Sequence, residues 1–141
     1  MPYYVNGDTN PKNREERTIM TIKEQFLHDL NKAFANNDVD YLTKCVTDDI
    51  QWNIIGEDTI WGKMSFTKAL TEMGGDENLF DLQIDDIIIH QDKAVVEGSM
   101  ISRRGKTYAF CDIYTFANDE KPLIKEMSSY VITMRKKPLK V

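Results

Sequence analysis

Residues 80–133 consist almost entirely of four long stretches rich in β-branched and aromatic residues, and this regularity restricts the chain to folds with a large antiparallel sheet. The stretches cover residues 80–90, 94–103, 107–117 and 123–133. Short polar turns at 91–93, 104–105 and 118–120 separate them. The pattern therefore predicts a four-stranded antiparallel meander.

The segment before the meander has helical periodicity. Thr21 and Glu24 form a capping box at the start of an apolar stripe with a period near 3.6 residues, and Asn36-Asn37 ends it. Asp38 is the expected N-cap of a short second helix, residues 50–54 alternate as a strand, and a third helix is predicted from about Ser65 to Met73. Helices followed by a large sheet define the α+β class.

The chain of 141 residues divides into one domain and two terminal segments. Residues 1–20 lack a sustained apolar period and are predicted to be a mobile arm, residues 21–133 form the domain, and residues 134–141 form a basic tail. We also consider Met20 as the native start, because the charged run at 14–17 just upstream of it has codons that can resemble a ribosome-binding site.

Charge and hydropathy exclude several classes of partner. The net charge is −5, and the basic residues are sparse outside the tail, so nucleic-acid binding is not expected. No apolar stretch is long enough to span a bilayer, and no signal-peptide pattern opens the chain, so neither membrane insertion nor export is expected. We predict a cytoplasmic protein.

The two cysteines, Cys45 and Cys111, are far apart and lie within apolar runs. This placement favours small buried thiols over a disulfide framework or a zinc site. We therefore expect neither a metal nor an organic cofactor.

The most informative polar residue lies in the third long stretch. Residues of one parity there are Tyr108, Phe110, Asp112, Tyr114 and Phe116, so Asp112 is the only charged group in an aromatic row. If helices cover this face, desolvation disfavours the ionised carboxyl, and a protonated Asp112 could donate a hydrogen bond to a ligand carbonyl. The alternative is an acid bonded to tyrosine or backbone groups, with a role in packing only.

The turn at Arg104-Gly105 decides whether Glu97 joins Asp112. A two-residue loop places Glu97 opposite Asp112, where two facing carboxyls would share a proton. A three-residue loop with a bulge at Gly105 shifts the register by one and places Val96, Gly98 and Met100 on the aromatic face. The sequence leaves both registers open.

Further aromatic and methionine residues are candidates for the wall of an apolar cavity, although such residues also fill ordinary cores. These candidates are Tyr41, Trp52, Trp61, Met73 and Tyr130.

Three segments carry a resemblance to a known family. FANNDVDYL at 34–42, VTDDIQW at 46–52 and WGK at 61–63 resemble the SnoaL-like and ketosteroid-isomerase-like branch of the NTF2-like superfamily, over roughly residues 22–133. The resemblance implies a cystatin-like cone, in which a strongly curved antiparallel sheet wraps around helices and encloses a pocket. Many such proteins are dimers, and their functions range from polyketide cyclisation, isomerisation and epoxide hydrolysis to binding alone.

The resemblance also bears on chemistry. The segment CDIYTF at 111–116 is similar to the strand on which ketosteroid isomerases carry a protonated aspartate, the position of Asp112 here. The resemblance places that family's general-base aspartate at Ile54 and its oxyanion tyrosine at Leu30, so a steroid isomerase of that mechanism is not expected.

We accordingly expect a pocket protein for a small apolar or aromatic carbonyl compound, with Asp112 and then Glu97 as acid/base candidates. Trp52, Tyr108, Phe110 and Tyr114 would exclude water from the reaction. The alternative is a non-catalytic dimeric binding or stress-associated module. A cavity of a few hundred cubic ångströms that opens to solvent favours the first interpretation, and a filled cone favours the second.

The other face of the third stretch predicts assembly. Ala109, Cys111, Ile113 and Thr115 are small or apolar, so this face is expected to be buried in a homodimer.

Overall fold

A computed structural model describes residues 20–75, 79–118 and 120–135. Most of the N-terminal arm lies outside the described residues, and so do residues 136–141 of the basic tail. The predicted mobility of the arm therefore stays a prediction. Within the described part no helix is long and apolar enough to cross a membrane.

The described residues form three helices and six strands. The helices are α1 (Ile22–Ala35), α2 (Val39–Lys44) and α3 (Lys63–Glu72), and the strands are β1 (Val46–Ile54), β2 (Thr59–Trp61), β3 (Phe80–His90), β4 (Lys93–Ser102), β5 (Thr107–Phe116) and β6 (Ile124–Thr133).

The predicted helix caps are confirmed. The Thr21 hydroxyl accepts a hydrogen bond from the Glu24 amide at 3.1 Å, and the Asp38 carboxylate accepts one from the Tyr41 amide at 3.3 Å. Both satisfy amides that have no partner inside their helix. The third helix begins at Lys63, two residues before the predicted start at Ser65, because the Gly62 carbonyl already accepts from Phe66.

One sheet holds all six strands in the order β2-β1-β6-β5-β4-β3. The antiparallel meander of β3 to β6 is confirmed, with bounds within a residue or so of the prediction. The sheet is nevertheless mixed rather than purely antiparallel, because β1 lies parallel to β6. Local periodicity cannot show such a pairing, since the partners are more than 70 residues apart in sequence.

The concave face of the sheet holds the core against α1 and α3. Register shifts place extra residues in β1, β3 and β6, and such bulges bend strands. Leu27, Leu30, Phe66 and Tyr114 are fully or almost fully buried between the layers. This α+β arrangement is the cone that the sequence predicts, with the row of Asp112 facing inward.

Candidate functional site

The helices do not fill the cone completely. A cavity of about 350 Å³ remains between α1, the end of α3 and the concave face of the sheet, and we call it the cone cavity. It is lined by Asn31, Phe34, Asn37, Trp52, Ile54, Glu57, Leu70, Met73, Phe80, Leu82, Met100, Phe110, Asp112, Met127, Ser129 and Val131. Its lining is therefore mainly apolar, with a few polar groups, which is the usual composition of a small-molecule site.

Asp112 is partly buried in the wall of this cavity. Its carboxyl accepts a hydrogen bond from the Tyr114 hydroxyl, with 3.3 Å between the oxygens, and a second one from the Ser129 hydroxyl. Ser129 is directly opposite Asp112 in the register of β5 and β6, so the sheet itself sets this contact. Both donors are neutral hydroxyl groups.

Each hydroxyl is oriented by a further donor. The Asn31 side-chain amide donates to the Tyr114 oxygen at 3.2 Å and to the Leu27 carbonyl at 2.8 Å. The Trp52 indole N–H donates to the Ser129 oxygen at 2.9 Å. Each hydroxyl accepts one bond and keeps its own hydrogen to donate. For the Tyr114 hydroxyl, the Asp112 carboxyl at 3.3 Å is a nearer acceptor than the Asn31 amide oxygen at 3.5 Å. Two chains of hydrogen bonds thus converge on one carboxyl.

Burial dominates the acidity of Asp112. Desolvation raises the pKa of this carboxyl to about 6 from an ordinary value of 3.8, while the hydrogen bonds from Ser129 and Tyr114 oppose the rise. Desolvation likewise raises the pKa of the Tyr114 phenol, so that its hydroxyl stays protonated as a donor. An acid of this kind changes protonation state close to neutral pH.

The structure settles the register around Glu97. Ser102 and Lys106 close a three-residue loop, in which the Ser102 amide donates to the Lys106 carbonyl at 2.8 Å and Gly105 has a φ of +82°. Val96 consequently lies opposite Asp112, whereas Glu97 pairs with Cys111 on the outer face and is exposed. Glu97 therefore does not reach the cone cavity, and the two carboxyls do not share a proton.

Gly98 allows β3 and β4 to lie close together. It lies opposite Phe110 on the concave face, and a Cβ atom at this position would overlap the Gln83 carbonyl oxygen. Only glycine allows β3 and β4 to approach each other here.

The predicted cavity residues separate into three groups. Trp52, Met73 and Phe110 line the cone cavity. Tyr114 lies behind the wall in the core, and Tyr108 packs edge-on against the cavity residue Phe80 with 5.9 Å between ring centroids. The remaining three predicted residues, Trp61, Tyr41 and Tyr130, do not line the cone cavity, and each is more than a third exposed.

Trp61 instead lines a second, more open depression of about 760 Å³. Met64 and the ion pair between Lys63 and Asp48, at 3.4 Å, lie beside it. Among the described residues no group of three or more His, Cys, Asp or Glu side chains is suited to bind a metal ion.

Four polar residues of the site were not predicted as site residues from the sequence: Asn31, Asn37, Glu57 and Ser129. Asn31 could have been found, because it interrupts the apolar stripe of the first helix between Leu27 and Phe34 and is itself buried. Ser129 can be assigned to the site only once the pairing of β5 and β6 is known. No sequence pattern distinguishes Glu57, because it follows a strand in an ordinary polar turn.

Comparison with known proteins identifies the family of this chain. The family model of the SnoaL-like domain matches residues 27–124, which is more than half of the chain. The chain belongs to the SnoaL-like family. The matched SnoaL-like region includes every cavity residue except Met127, Ser129 and Val131.

Solved structures extend the likeness of this SnoaL-like chain. An NTF2-like protein of unknown function from Cytophaga hutchinsonii is 30% identical, with a TM-score of 0.62, covering 77% of this chain and 98% of that one. A candidate SnoaL-like polyketide cyclase from Shewanella denitrificans has a TM-score of 0.70 at 16% identity, covering 80% and 92%. An LEH-like epoxide hydrolase from M. tuberculosis has a TM-score of 0.63 at 19% identity, covering 77% and 80%. No curated protein sequence matches the chain significantly. The likeness to the polyketide cyclase and to the epoxide hydrolase shows a shared fold, and this fold hosts several activities.

Proposed function

We propose that this chain is a cofactor-independent acid/base catalyst acting on a small apolar or aromatic carbonyl compound held in the cone cavity. The observation that carries the proposal is the Asp112 carboxyl, which faces an apolar cavity of about 350 Å³ and is held by two neutral hydroxyl donors. A cavity of this size that opens to solvent favours a ligand site over a filled core. Ile54 and Leu30 at the positions noted above argue for chemistry different from that of steroid isomerases.

The proposed step is proton transfer at the carbon next to the carbonyl group. The ionised Asp112 carboxylate takes the α-proton, the C–H electron pair becomes the carbon–carbon double bond of the enolate, and the carbonyl electrons move to oxygen. A pKa of about 6 keeps the ionised and protonated forms of Asp112 both accessible near neutral pH, so the same group can return the proton. Tyr114 and Ser129 hold the carboxyl in place, and Trp52 and Phe110 exclude water from it.

Deuterium exchange tests this proposal without knowledge of the natural substrate. We would incubate the protein with 2-tetralone in D₂O and follow loss of the α-proton signals by NMR. Wild type is expected to accelerate exchange over buffer, and Asp112→Asn to lower the acceleration by about a hundredfold or more, as expected for removal of a general base. Asp49→Asn is the matched control, because it makes the same chemical change on an exposed carboxyl of β1. Equal exchange by wild type and Asp112→Asn would refute the catalytic role.

Non-catalytic ligand binding is the second candidate. It is favoured by the apolar residue Ile54 in the cavity wall, where the related isomerases carry a base. Binding of 2-tetralone to the cavity with no exchange above buffer would support this function instead.

We further propose that two copies associate through the outer face of the sheet. Ile113, Tyr130 and Ile132 are 38%, 43% and 66% exposed, and they lie on the neighbouring strands β5 and β6. An apolar area shared by adjacent strands is expected to be covered in solution. Cys45 and Cys111 are free thiols, which supports the proposal of a reducing, cytoplasmic location.

A further inference from the structure

We propose that the ligand of the cone cavity carries a basic nitrogen, protonated at neutral pH, which pairs with Glu57 at the mouth of the cavity while its apolar part fills the interior. This inference rests on the proposed function, because it assumes that the cone cavity is the ligand site. It adds the charge class of the ligand and a residue that selects for it.

The charges around the cavity are all of one sign. Of the described residues that line it, only Glu57 and Asp112 are charged, and neither has a basic neighbour in the lining. The hydrogen-bond donors to Asp112 are the neutral hydroxyls of Tyr114 and Ser129, so they do not compensate its charge. An anionic ligand would therefore enter an apolar space next to two carboxyls with no cation to balance it, which is electrostatically unfavourable.

Glu57 lies where its side chain can contact a ligand, outside the packed core. It follows β1 in a tight turn, in which its amide donates to the Ile54 carbonyl at 2.9 Å and Gly56 has a φ of +88°. Its side chain is exposed and yet lines the cavity, which is the geometry of a group at the mouth. An acid there, on a chain with a net charge of −5, attracts a cationic ligand group.

The strand that precedes the Glu57 turn ends well away from Asp112, which leaves room for a small ligand with functional groups at both ends. Ile54 is opposite Ser129, and Ser129 is opposite Asp112, so two strand spacings, roughly 10 Å, separate the end of β1 from Asp112. A carbonyl group at Asp112 and an ammonium group at Glu57 would then be joined by an apolar or aromatic body of that length. Trp52, Met127 and Val131 are apolar parts of the lining, and Glu57 and Asp112 are its only charged residues among the described ones.

Three probes of one shape test the inference. We would measure the dissociation constants of 2-naphthylmethylamine, 2-naphthylmethanol and 2-naphthoate by calorimetry at about pH 7, with Asp112 resonances reporting that each probe occupies the cavity. The amine is expected to bind about 5-fold more tightly than the alcohol, the upper range of an exposed ion pair, and the carboxylate at least about 10-fold more weakly than the alcohol. Binding of the carboxylate as tightly as the alcohol would overturn the inference.

Glu57→Gln is the decisive variant, and Asp58→Asn is its matched control. Both residues are exposed neighbours in the same turn and lose the same charge, but Asp58 does not line the cavity. The preference for the amine over the alcohol should disappear in Glu57→Gln and persist in Asp58→Asn. Loss of the preference in both variants would indicate long-range attraction only and overturn the assignment to Glu57.

The outcomes distinguish this inference from the proposed function. If the alcohol binds as tightly as the amine while 2-tetralone exchange still depends on Asp112, the charge selection is wrong and the catalytic proposal stands. If the amine preference holds but exchange does not occur, the inference stands and the cavity is a binding site only. If no probe binds but 2-tetralone exchange still depends on Asp112, only the inference is overturned. If no probe binds and exchange does not exceed buffer, both are overturned.

Discussion

Replacement of Asp112 by asparagine is expected to stabilise the protein at neutral pH. The substitution keeps the shape of the side chain and one oxygen that can accept from the Tyr114 or Ser129 hydroxyl, but it removes the charge that burial penalises. A gain in stability on removing this charge from a candidate active site would indicate that the wild-type residue is kept for its chemistry.

The magnitude follows from the difference in acidity between the two states of the chain. The folded-state pKa of Asp112 is about 6, against an ordinary value of 3.8 for the unfolded chain. At about 1.36 kcal/mol per pKa unit, ionisation of this group in the folded state costs about 3 kcal/mol. Because the folded pKa is raised, the contribution is absent below about pH 4, and the free energy of unfolding falls as the pH rises from about 4 to about 6. One weakened hydrogen bond offsets about 1 kcal/mol of the gain, so Asp112→Asn should be about 2 kcal/mol more stable than wild type at about pH 7.

Urea unfolding between about pH 4 and about pH 8 measures this difference directly. The difference between wild type and Asp112→Asn should grow with pH in the window given above and be constant beyond it. Asp49→Asn serves again as the control, since its curve should run parallel to that of wild type. A carboxyl NMR titration of Asp112 checks the same quantity independently. A measured pKa at or below 3.8, or a stability difference that does not change with pH, would refute the desolvation argument.

Three further predictions concern packing and assembly. Trp52→Ala should lower the free energy of unfolding by roughly 3–5 kcal/mol, because Trp52 is 6% exposed and packs on Phe66 with 5.4 Å between ring centroids. An unchanged denaturation midpoint together with lost 2-tetralone binding would mean that Trp52 only lines the cavity. Gly98→Ala should destabilise by roughly 3 kcal/mol, because the added methyl group collides with the β3 backbone; a melting temperature equal to that of wild type would contradict the observed strand spacing. Light scattering at micromolar concentration should give twice the chain mass of 16.4 kDa, and Ile132→Lys should halve it; a monomeric wild type would rule out the proposed dimer.

Much of the site's chemistry could be predicted from local pattern. The alternation of Tyr108, Phe110, Asp112 and Tyr114 was enough to place a carboxyl on the covered face of a strand, because successive side chains point to opposite faces. The same alternation placed Trp52 on the inner face of β1. These predictions succeeded because they depend only on the period of a strand and on which face is apolar.

Other features of the site depended on contacts that no local pattern contains. The position of Glu97 depended on a one-residue choice in the loop at Gly105, and both loop lengths are compatible with the residues there. Tyr41 and Tyr130 suit a cavity wall by residue type. Tyr41 lies instead on the exposed surface of α2, and Tyr130 lies on the outer face of the sheet.

The amino-acid sequence by itself determined the order of the three helices and of every strand except β2, the caps at Thr21 and Asp38, and the inward direction of Asp112, since each depends on neighbours within a few residues. Only the tertiary structure decided the parallel pairing of β1 with β6, the partners of Asp112 and the place of Glu57 at the mouth of the cavity. Ser129, Tyr114 and Asn31 come from two strands and a helix distant in sequence, and they meet because the sheet closes around α1. Burial raises the pKa of Asp112 in that closed arrangement, so its acidity is a property of the assembled fold and not of its sequence neighbours.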